Sequence, residues 1–213
     1  MSGGFPVVLD ACVLVPMPLA DLLLRLASGP GLYLPKWTDQ IMTEVSRTLE
    51  ESFGLTPEKA QYREGELRRY FPEAWVEGYE DVIPVMTNHE KDRHVLAAAV
   101  KTGAEIIVTY NLRDFPDSSL APYSIIAQGP SSFLTNLHDM DPPAVIQTLE
   151  EQAEVIGRPL SYLLSRLRIN VPGFVRTIEQ KRGGRELVPP IRARACVGRK
   201  FDQYLRADIA RAQ

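Results

Sequence analysis

The sequence has few cysteines and few histidines for its length. Among 213 residues there are two cysteines, Cys12 and Cys196, and three histidines. Two cysteines cannot build a disulfide framework, and neither belongs to a CxxC pair of the kind that binds zinc or exchanges thiols. The sequence therefore excludes a disulfide-rich secreted domain, and we expect a reducing, cytoplasmic environment.

The sequence also lacks repeats and long uncharged hydrophobic runs. Its 14 glycines and 17 prolines do not recur at a fixed period, which excludes collagen-like and low-complexity chains. The apolar segment 5–24 contains Asp10, Asp21 and three prolines and has no basic residue before it. We therefore interpret this segment as a strand and a helix, not as a signal peptide or membrane span, and expect no membrane partner.

The net charge of -3 conceals two parts of opposite charge. Residues 158–213 contain 13 Lys or Arg and 4 Asp or Glu, a net charge of +9, which leaves -12 for the residues before them. This asymmetry is typical of an acidic domain followed by a basic extension that binds nucleic acid or an acidic partner.

Strand and helix signals alternate along residues 5–137. Short apolar runs predict strands at 5–9, 32–35, 105–109 and 123–127. Between them, Thr38 is a suitable N-cap for a helix with Ile41, Val45 and Leu49 on one face, residues 57–80 suggest two helices, and a further helix runs from Asp92 to Gly103. This alternation predicts a doubly wound parallel α/β sheet flanked by helices.

The C-terminal part shows only helix signals. Asp141-Pro142, Arg158-Pro159 and Val171-Pro172 each mark a helix start, and KRGGRE with Pro189-Pro190 resembles a linker. A last amphipathic helix would carry Phe201, Leu205 and Ile209 on one face. We therefore predict a sheet domain at 5–137, a helical extension at 138–181, and a basic linker with a short helix at 182–213.

Several acids are positioned to meet at one edge of the predicted sheet, where open parallel sheets bind their ligands. Asp10 ends the first strand, Asn111 and Asp114 follow the strand EIIVT, Asp92 begins the helix that leads into that strand, and Glu44 lies beside an apolar helix stripe. Carboxylates gathered there would repel one another unless a divalent cation neutralised them. Oxygen ligands suit Mg²⁺ or Mn²⁺, and such a site favours phosphodiester chemistry.

Each acid also has a purely structural interpretation. Asp10 and Asp114 are common turn residues, Asp92 is a suitable helix cap, and Glu44 fits a solvated helix face. Asn111 tolerates unusual backbone angles. The joint spacing, rather than any single residue, distinguishes the functional hypothesis.

The segments VVLDACVLVP, TDQIMTEVSRTL and DRHVLAAAVKTGAEIIVTYNLRDF, in this order, resemble the PIN-domain ribonucleases, in particular VapC-like toxins of toxin–antitoxin modules. The resemblance covers residues 5–137. It implies a PIN-like fold and a Mg²⁺- or Mn²⁺-dependent endoribonuclease in which a metal-activated water leaves 5′-phosphate and 3′-hydroxyl ends. The implied metal ligands are Asp10, Glu44, Asp92 and Asp114, and Asn111 completes the catalytic set. The implied partners are an RNA substrate, a small antitoxin and a second copy of the chain.

Two positions depart from the family pattern. Cys12 occupies a position where the family commonly has Asn, Thr or Ser, and a thiol is a poorer hydrogen-bond partner for a carboxylate. We expect it to be a small buried filler. Lys91 next to Asp92 would weaken a second metal site, so we expect one tightly bound cation.

The remaining polar candidates give weaker signals. Asp92 and His94 are two residues apart and would not share a helix face, so we expect surface or supporting roles for His94 and for His89. His138 gives no signal, and Ser131 is expected to cap a helix. Arg63, Arg68 and Arg69 would either line an RNA path or pair with Glu64 and Glu66.

Two other hypotheses stay open. A catalytically weak or inactive PIN-like module that binds RNA or acts as a scaffold would retain the fold, and Cys12 and Lys91 are compatible with it. A Mg²⁺ phosphatase of another α/β fold would use the acids, but it needs a DxD motif after the first strand, where this chain has Cys12.

Overall fold

The computed structural model describes residues 4–182, which cluster into two units. Within that range, the first unit contains the chain up to Val15 and residues Tyr33–Gly129, and the second contains Pro16–Leu32 and the residues from Pro130 onward. Three predicted features lie outside the described residues, namely Cys196, the linker with Pro189-Pro190, and the helix with Phe201, Leu205 and Ile209. The predicted domain boundaries therefore stay a proposal.

The first unit is built on a four-stranded parallel sheet. Its strands are β1 (Phe5–Leu9), β2 (Tyr33–Lys36), β3 (Ile106–Val108) and β4 (Ile126–Gln128), in the order β2-β1-β3-β4. The register pairs Phe5 with Tyr33, Val7 with Ile106, and Ile107 with Ala127. The predicted parallel α/β fold is confirmed, and β1 and β3 lie side by side where the strand order changes direction.

The sequence of β1 explains its central position. Val7, Val8 and Leu9 are fully buried, because a strand covered on both faces in a parallel sheet needs consecutive apolar side chains. Its backbone groups pair with β2 on one side and with β3 on the other. The residue that follows β1 is thus held at the carboxyl edge of the sheet.

Two helices bring polar residues to this unit. Helix α3 (Asp39–Phe53) begins after Thr38, whose Oγ1 accepts a hydrogen bond from Ile41 N at 3.1 Å, so the predicted N-cap is confirmed. Helix α5 (Arg93–Thr102) follows a 3₁₀ turn at Glu90–Asp92 and buries six consecutive residues from His94 to Ala99. The other α-helices described in this unit are α1 (Ala11–Leu14), α4 (Pro57–Tyr70) and α6 (Asp117–Leu120).

The prediction of two helices over residues 57–80 is wrong in its second half. After α4 the chain forms one 3₁₀ turn at Pro72–Ala74, and Trp75 then makes an isolated parallel bridge with Trp37. Trp37 is fully buried and meets the rings of Phe71 and Trp75 edge-on at 5.7 and 6.0 Å between ring centroids. Burying these aromatic surfaces outweighs the local helix signal. Further 3₁₀ helices span Glu80–Val85, Leu112–Asp114 and Ala121–Tyr123.

The described part of the second unit is helical. Its helices are α2 (Met17–Ser28), α7 (Pro130–Met140), α8 (Pro142–Val155), α9 (Leu160–Asn170) and α10 (Pro172–Arg182). The three predicted proline starts are confirmed, and the Asp141 carboxylate caps α8 by accepting a hydrogen bond from Ala144 N at 3.0 Å. Ser131 is not a helix cap, since it lies within α7 and its Oγ accepts a hydrogen bond from Phe174 N at 2.8 Å. Among residues 4–182, no helix has the length and apolarity needed to cross a membrane.

Two glycines test the backbone geometry of the first unit. Gly103 ends α5 at a φ of +64°, whereas Gly65 lies inside α4, and a methyl group would meet no atom within 4 Å at either position. We expect Gly103→Ala to lower the free energy of unfolding by about 1–2 kcal/mol, because the left-handed conformation strains L residues. Gly65→Ala should raise it by about 0.5–1 kcal/mol. Urea denaturation measures the free energy of unfolding of both variants. If the two substitutions changed it equally, the left-handed conformation assigned to Gly103 would be contradicted.

Candidate metal centre

Asp10 lies at the carboxyl end of β1 and is fixed by hydrogen bonds from the neighbouring strand. It is 3% exposed, and its backbone N donates to Val108 O at 3.1 Å. Its Oδ2 accepts hydrogen bonds from Thr109 Oγ1 at 2.6 Å and from Cys12 Sγ at 3.1 Å. The carboxylate does not cap α1, since no side-chain cap hydrogen bond joins it to that helix. Its orientation therefore depends on Thr109, 99 positions later in the chain.

Cys12 is part of this hydrogen-bond network and is not a plain buried filler. Its Sγ lies 3.5 Å from Thr109 Oγ1 and accepts a hydrogen bond from Tyr110 N at 3.3 Å. Burial, with a further contribution from the Asp10 carboxylate, raises the pKa of the Cys12 thiol to about 12. The thiol stays protonated at neutral pH and can donate to Asp10, while Thr109 supplies the shorter hydrogen bond that the sequence analysis did not identify.

Glu44 and Asp92 carry the electrostatic signature of a shared acidic site. Burial and then the charges of Asp10 and Asp92 raise the pKa of Glu44 to about 7, and Arg47 opposes this shift. Burial and then the charges of Asp10 and Asp114 raise the pKa of Asp92 to about 6, and His89 opposes it. Each carboxylate is thus partly removed from water and lies close enough to the others to be disfavoured in its charged form.

Asp92, Asp114 and His89 form the tightest group of possible ligands. One ligand atom from each side chain lies within 4.8 Å of the other two. His89 N donates to Asp114 O at 3.2 Å, and His89 Nδ1 lies 4.0 Å from Asp92 Oδ2. Asp92 precedes α5 without a side-chain cap hydrogen bond, so its carboxylate is not engaged by the helix that it begins.

Two other residues named from the sequence, Asn111 and Lys91, differ from the acids in their surroundings. Asn111 donates its backbone N–H to Thr109 Oγ1 at 2.9 Å, and its side chain is exposed. Lys91 is exposed too, and the charged groups that act on Asp92 are Asp10, Asp114 and His89. Asp10, Glu44, Asp92 and Asp114 thus act on one another electrostatically, and Asn111 bonds through its backbone to Thr109, which also holds Asp10.

His94 is buried beside Glu44, so the expected surface role is wrong and the expected supporting role stays a prediction. Its side chain is 2% exposed, and its Nε2 lies 3.5 Å from Glu44 Oε1. The expectation assumed a continuous helix from Asp92 to His94, but Asp92 belongs to a 3₁₀ turn and α5 starts at Arg93. The spacing rule for one helix face does not hold across that junction, so the sequence offered no reliable signal for His94.

The three arginines proposed for an RNA path have structural partners instead. Arg63 is buried and its Nη2 donates to Leu14 O at 2.5 Å. Arg68 pairs with Asp39 at 2.6 Å and Glu64 at 3.0 Å, with its guanidinium 3.7 Å from the centroid of the Trp75 ring. Arg69 lies 4.0 Å from Glu66. The ion-pair alternative is confirmed for Arg68 and Arg69. Arg63 instead hydrogen-bonds to a backbone carbonyl inside the protein.

The raised pKa of Glu44 predicts a pH-dependent cost to stability. The folded state binds the proton of Glu44 more tightly than the unfolded state does. The metal-free protein should therefore lose stability as pH rises from about 4.5 to about 7. We expect Glu44→Gln, in the presence of a chelator, to raise the free energy of unfolding at pH 8 by about 1–3 kcal/mol and to change it less at pH 4.5.

Chemical denaturation at the two pH values measures this difference. Glu51→Gln is the matched control, because Glu51 lies in the same helix and is exposed. A gain in stability for Glu44→Gln that is equal at both pH values would contradict the electrostatic origin of the strain.

Comparison with known proteins finds a similarity over part of the chain. It is 55% identical over 67 residues to "Putative ribonuclease VapC50" of Mycobacterium tuberculosis (strain ATCC 25618 / H37Rv). The matched segment covers 32% of this chain and 40% of that protein, so the chain spans about two fifths of the length of this relative. No family model and no solved structure matches the chain. The similarity supports a relationship to VapC-like proteins over that segment.

Proposed function

We propose that this protein is a divalent-metal-dependent endoribonuclease that hydrolyses RNA phosphodiester bonds. The observation that carries the proposal is the convergence of Asp10, Glu44, Asp92 and Asp114 at the carboxyl edge of the sheet, two of them with raised pKa values. The partial similarity to a protein described as a ribonuclease supports the same activity.

The fit of a cation follows from the electrostatics of the residues. Carboxylates that raise one another's pKa values are unfavourable without a positive charge, and the opposing charges are Arg47 on Glu44 and His89 on Asp92. Carboxylate oxygens at a partly solvated edge suit Mg²⁺ or Mn²⁺, which retain some water and accept phosphate oxygens. We therefore assign the role of ligands to these four acids.

The chain's own residues would orient the reaction. Thr109 and Cys12 hold the Asp10 carboxylate in one direction, and the Asn111 backbone N–H in turn bonds to the Thr109 hydroxyl. Glu44 and Asp92 would lose their protons near neutral pH, before or as the cation binds. A divalent cation held there would activate water and offset the charge that develops on the leaving oxygen.

The inactive-module alternative is less well supported than activity. It relied on Cys12 and Lys91, but Cys12 still donates a hydrogen bond to Asp10, and the Lys91 side chain is exposed. We extend the proposal to a toxin of a toxin–antitoxin module, with a small antitoxin and a second copy of the chain as partners. The VapC designation in the name of the similar M. tuberculosis protein supports the toxin part of this extension. The domain limits 5–137, 138–181 and 182–213 belong to the same proposal.

RNA cleavage by the full chain tests the activity directly. We expect defined RNAs to be cut with Mg²⁺ or Mn²⁺ and not with EDTA, and Asp92→Asn to lower kcat/KM by about 100-fold or more, because it removes a charged ligand. Asp81→Asn is the control, since Asp81 is an exposed acid of a 3₁₀ helix in the same unit. Cleavage that survives both EDTA and Asp92→Asn would refute the metal mechanism.

The support given to Asp10 makes a separate prediction. Thr109→Val removes the 2.6 Å hydrogen bond at nearly constant volume, and we expect the Mn²⁺ dissociation constant to rise about 10–100-fold. Cys12→Ser keeps a donor at the other hydrogen bond and should change this constant by less than about threefold. Isothermal titration calorimetry measures both. A larger loss for Cys12→Ser than for Thr109→Val would reverse the assigned order of importance.

A further inference from the structure

One ring nitrogen of His94 is buried without a hydrogen bond. The side chain is 2% exposed, and Nε2 has no hydrogen-bond partner among residues 4–182. A buried polar atom without a hydrogen bond destabilises the fold, because it has lost its bonds to water and gained none in return. Its nearest polar neighbour is Glu44 Oε1 at 3.5 Å, at the acidic site described above.

The other ring nitrogen determines what Nε2 can do. The imidazole donates a hydrogen bond to the backbone carbonyl of Lys91, and since Nε2 has no such bond, the donor is Nδ1. A neutral imidazole with its proton on Nδ1 presents a lone pair at Nε2. Metal-binding histidines commonly have this arrangement, with the second nitrogen anchored on a carbonyl.

The close approach of His94 Nε2 and Glu44 Oε1 becomes favourable when a proton or a cation lies between the two atoms. A lone pair on Nε2 and a carboxylate oxygen both seek a proton or a cation, and Asp10 adds a negative charge that acts on His94. Two ligands about 2.1 Å from one cation lie about 3.0–3.4 Å apart in octahedral or tetrahedral geometry. The 3.5 Å between Nε2 and Oε1 is close to that spacing.

We propose that His94 Nε2 is a ligand of the cation held by Asp10 and Glu44, so that the site is a mixed imidazole–carboxylate centre. This inference rests on the proposed metal-dependent function and deepens it. A nitrogen ligand favours Mn²⁺ and later first-row ions over Mg²⁺, which prefers oxygen ligands alone. The protein should therefore bind Mn²⁺ more tightly than Mg²⁺, and His94 should account for much of that difference.

His89 is the competing source of a nitrogen ligand. Its side chain is 51% exposed, and its Nδ1 lies 4.0 Å from Asp92 Oδ2. An exposed imidazole is satisfied by water and needs no cation, whereas the buried Nε2 of His94 has no such alternative. The sequence contains only three histidines, the third being His138 of α7, so each can be tested separately.

Pulsed electron paramagnetic resonance of Mn²⁺ bound to the full chain detects a coordinated imidazole by its ¹⁴N modulation. We expect this modulation in the wild type and in His138→Gln, and its loss in His94→Gln. Calorimetry should give a Mn²⁺ dissociation constant about 10–100-fold higher for His94→Gln, with a change below about threefold for Mg²⁺.

A second variant keeps the test decisive if His94→Gln does not fold. In the double variant His89→Gln/His138→Gln, His94 is the sole histidine, and the ¹⁴N modulation should persist. Its absence there, or its persistence in a folded His94→Gln, would overturn the assignment. If RNA cleavage needs Mn²⁺ but the bound Mn²⁺ gives no ¹⁴N modulation from an imidazole, the role of His94 is refuted. The ribonuclease function is left intact by that result. Absence of any metal binding would refute the metal-dependent function itself.

Discussion

The parallel pairing of β1 with β3 is the constraint on which the candidate site depends. It sets Asp10 beside Val108 and Thr109, so that one strand end supplies the carboxylate and the next supplies the hydrogen bond that orients it. Parallel strands end at the same edge of a sheet, and the strand order reverses its direction between β1 and β3, which leaves a crevice at that edge. The burial of the apolar residues of β1 therefore helps to position the carboxylate of Asp10.

The acids at this edge are held together at an electrostatic cost. Burial and mutual repulsion raise the pKa values of Glu44 and Asp92, which means that the fold stores unfavourable interactions at this point. Functional sites are where such strain is expected, because a ligand of opposite charge relieves it. The unsatisfied Nε2 of His94 next to Glu44 belongs to the same pattern. One cation would resolve both the repulsion and the missing hydrogen bond.

Two differences from the predicted helices occur where one secondary-structure element meets the next. Asp92 belongs to the 3₁₀ turn at Glu90–Asp92 and α5 starts at Arg93, so Asp92 and His94 do not lie in one continuous α-helix. Near Trp75, the packing of Trp75 and Phe71 against Trp37 replaces a predicted helix by a single turn and a bridge. Arg68 and Arg69 find acids within the same unit. At Trp75, a contact between residues distant in the sequence outweighs a local propensity, whereas Arg68–Glu64 and Arg69–Glu66 are pairs within one helix.

The sequence by itself determined the parallel α/β class, the start of α3 at Thr38, the proline starts of the C-terminal helices, and the set of acids that could meet. These features depend on periodicity, caps and strand ends, which are local. Only the tertiary structure decided that Thr109 orients Asp10, that Cys12 donates to the same carboxylate, and that His94 faces Glu44. Such contacts join residues up to 99 positions apart, and their geometry depends on strand register and on one helix junction that no local pattern encodes.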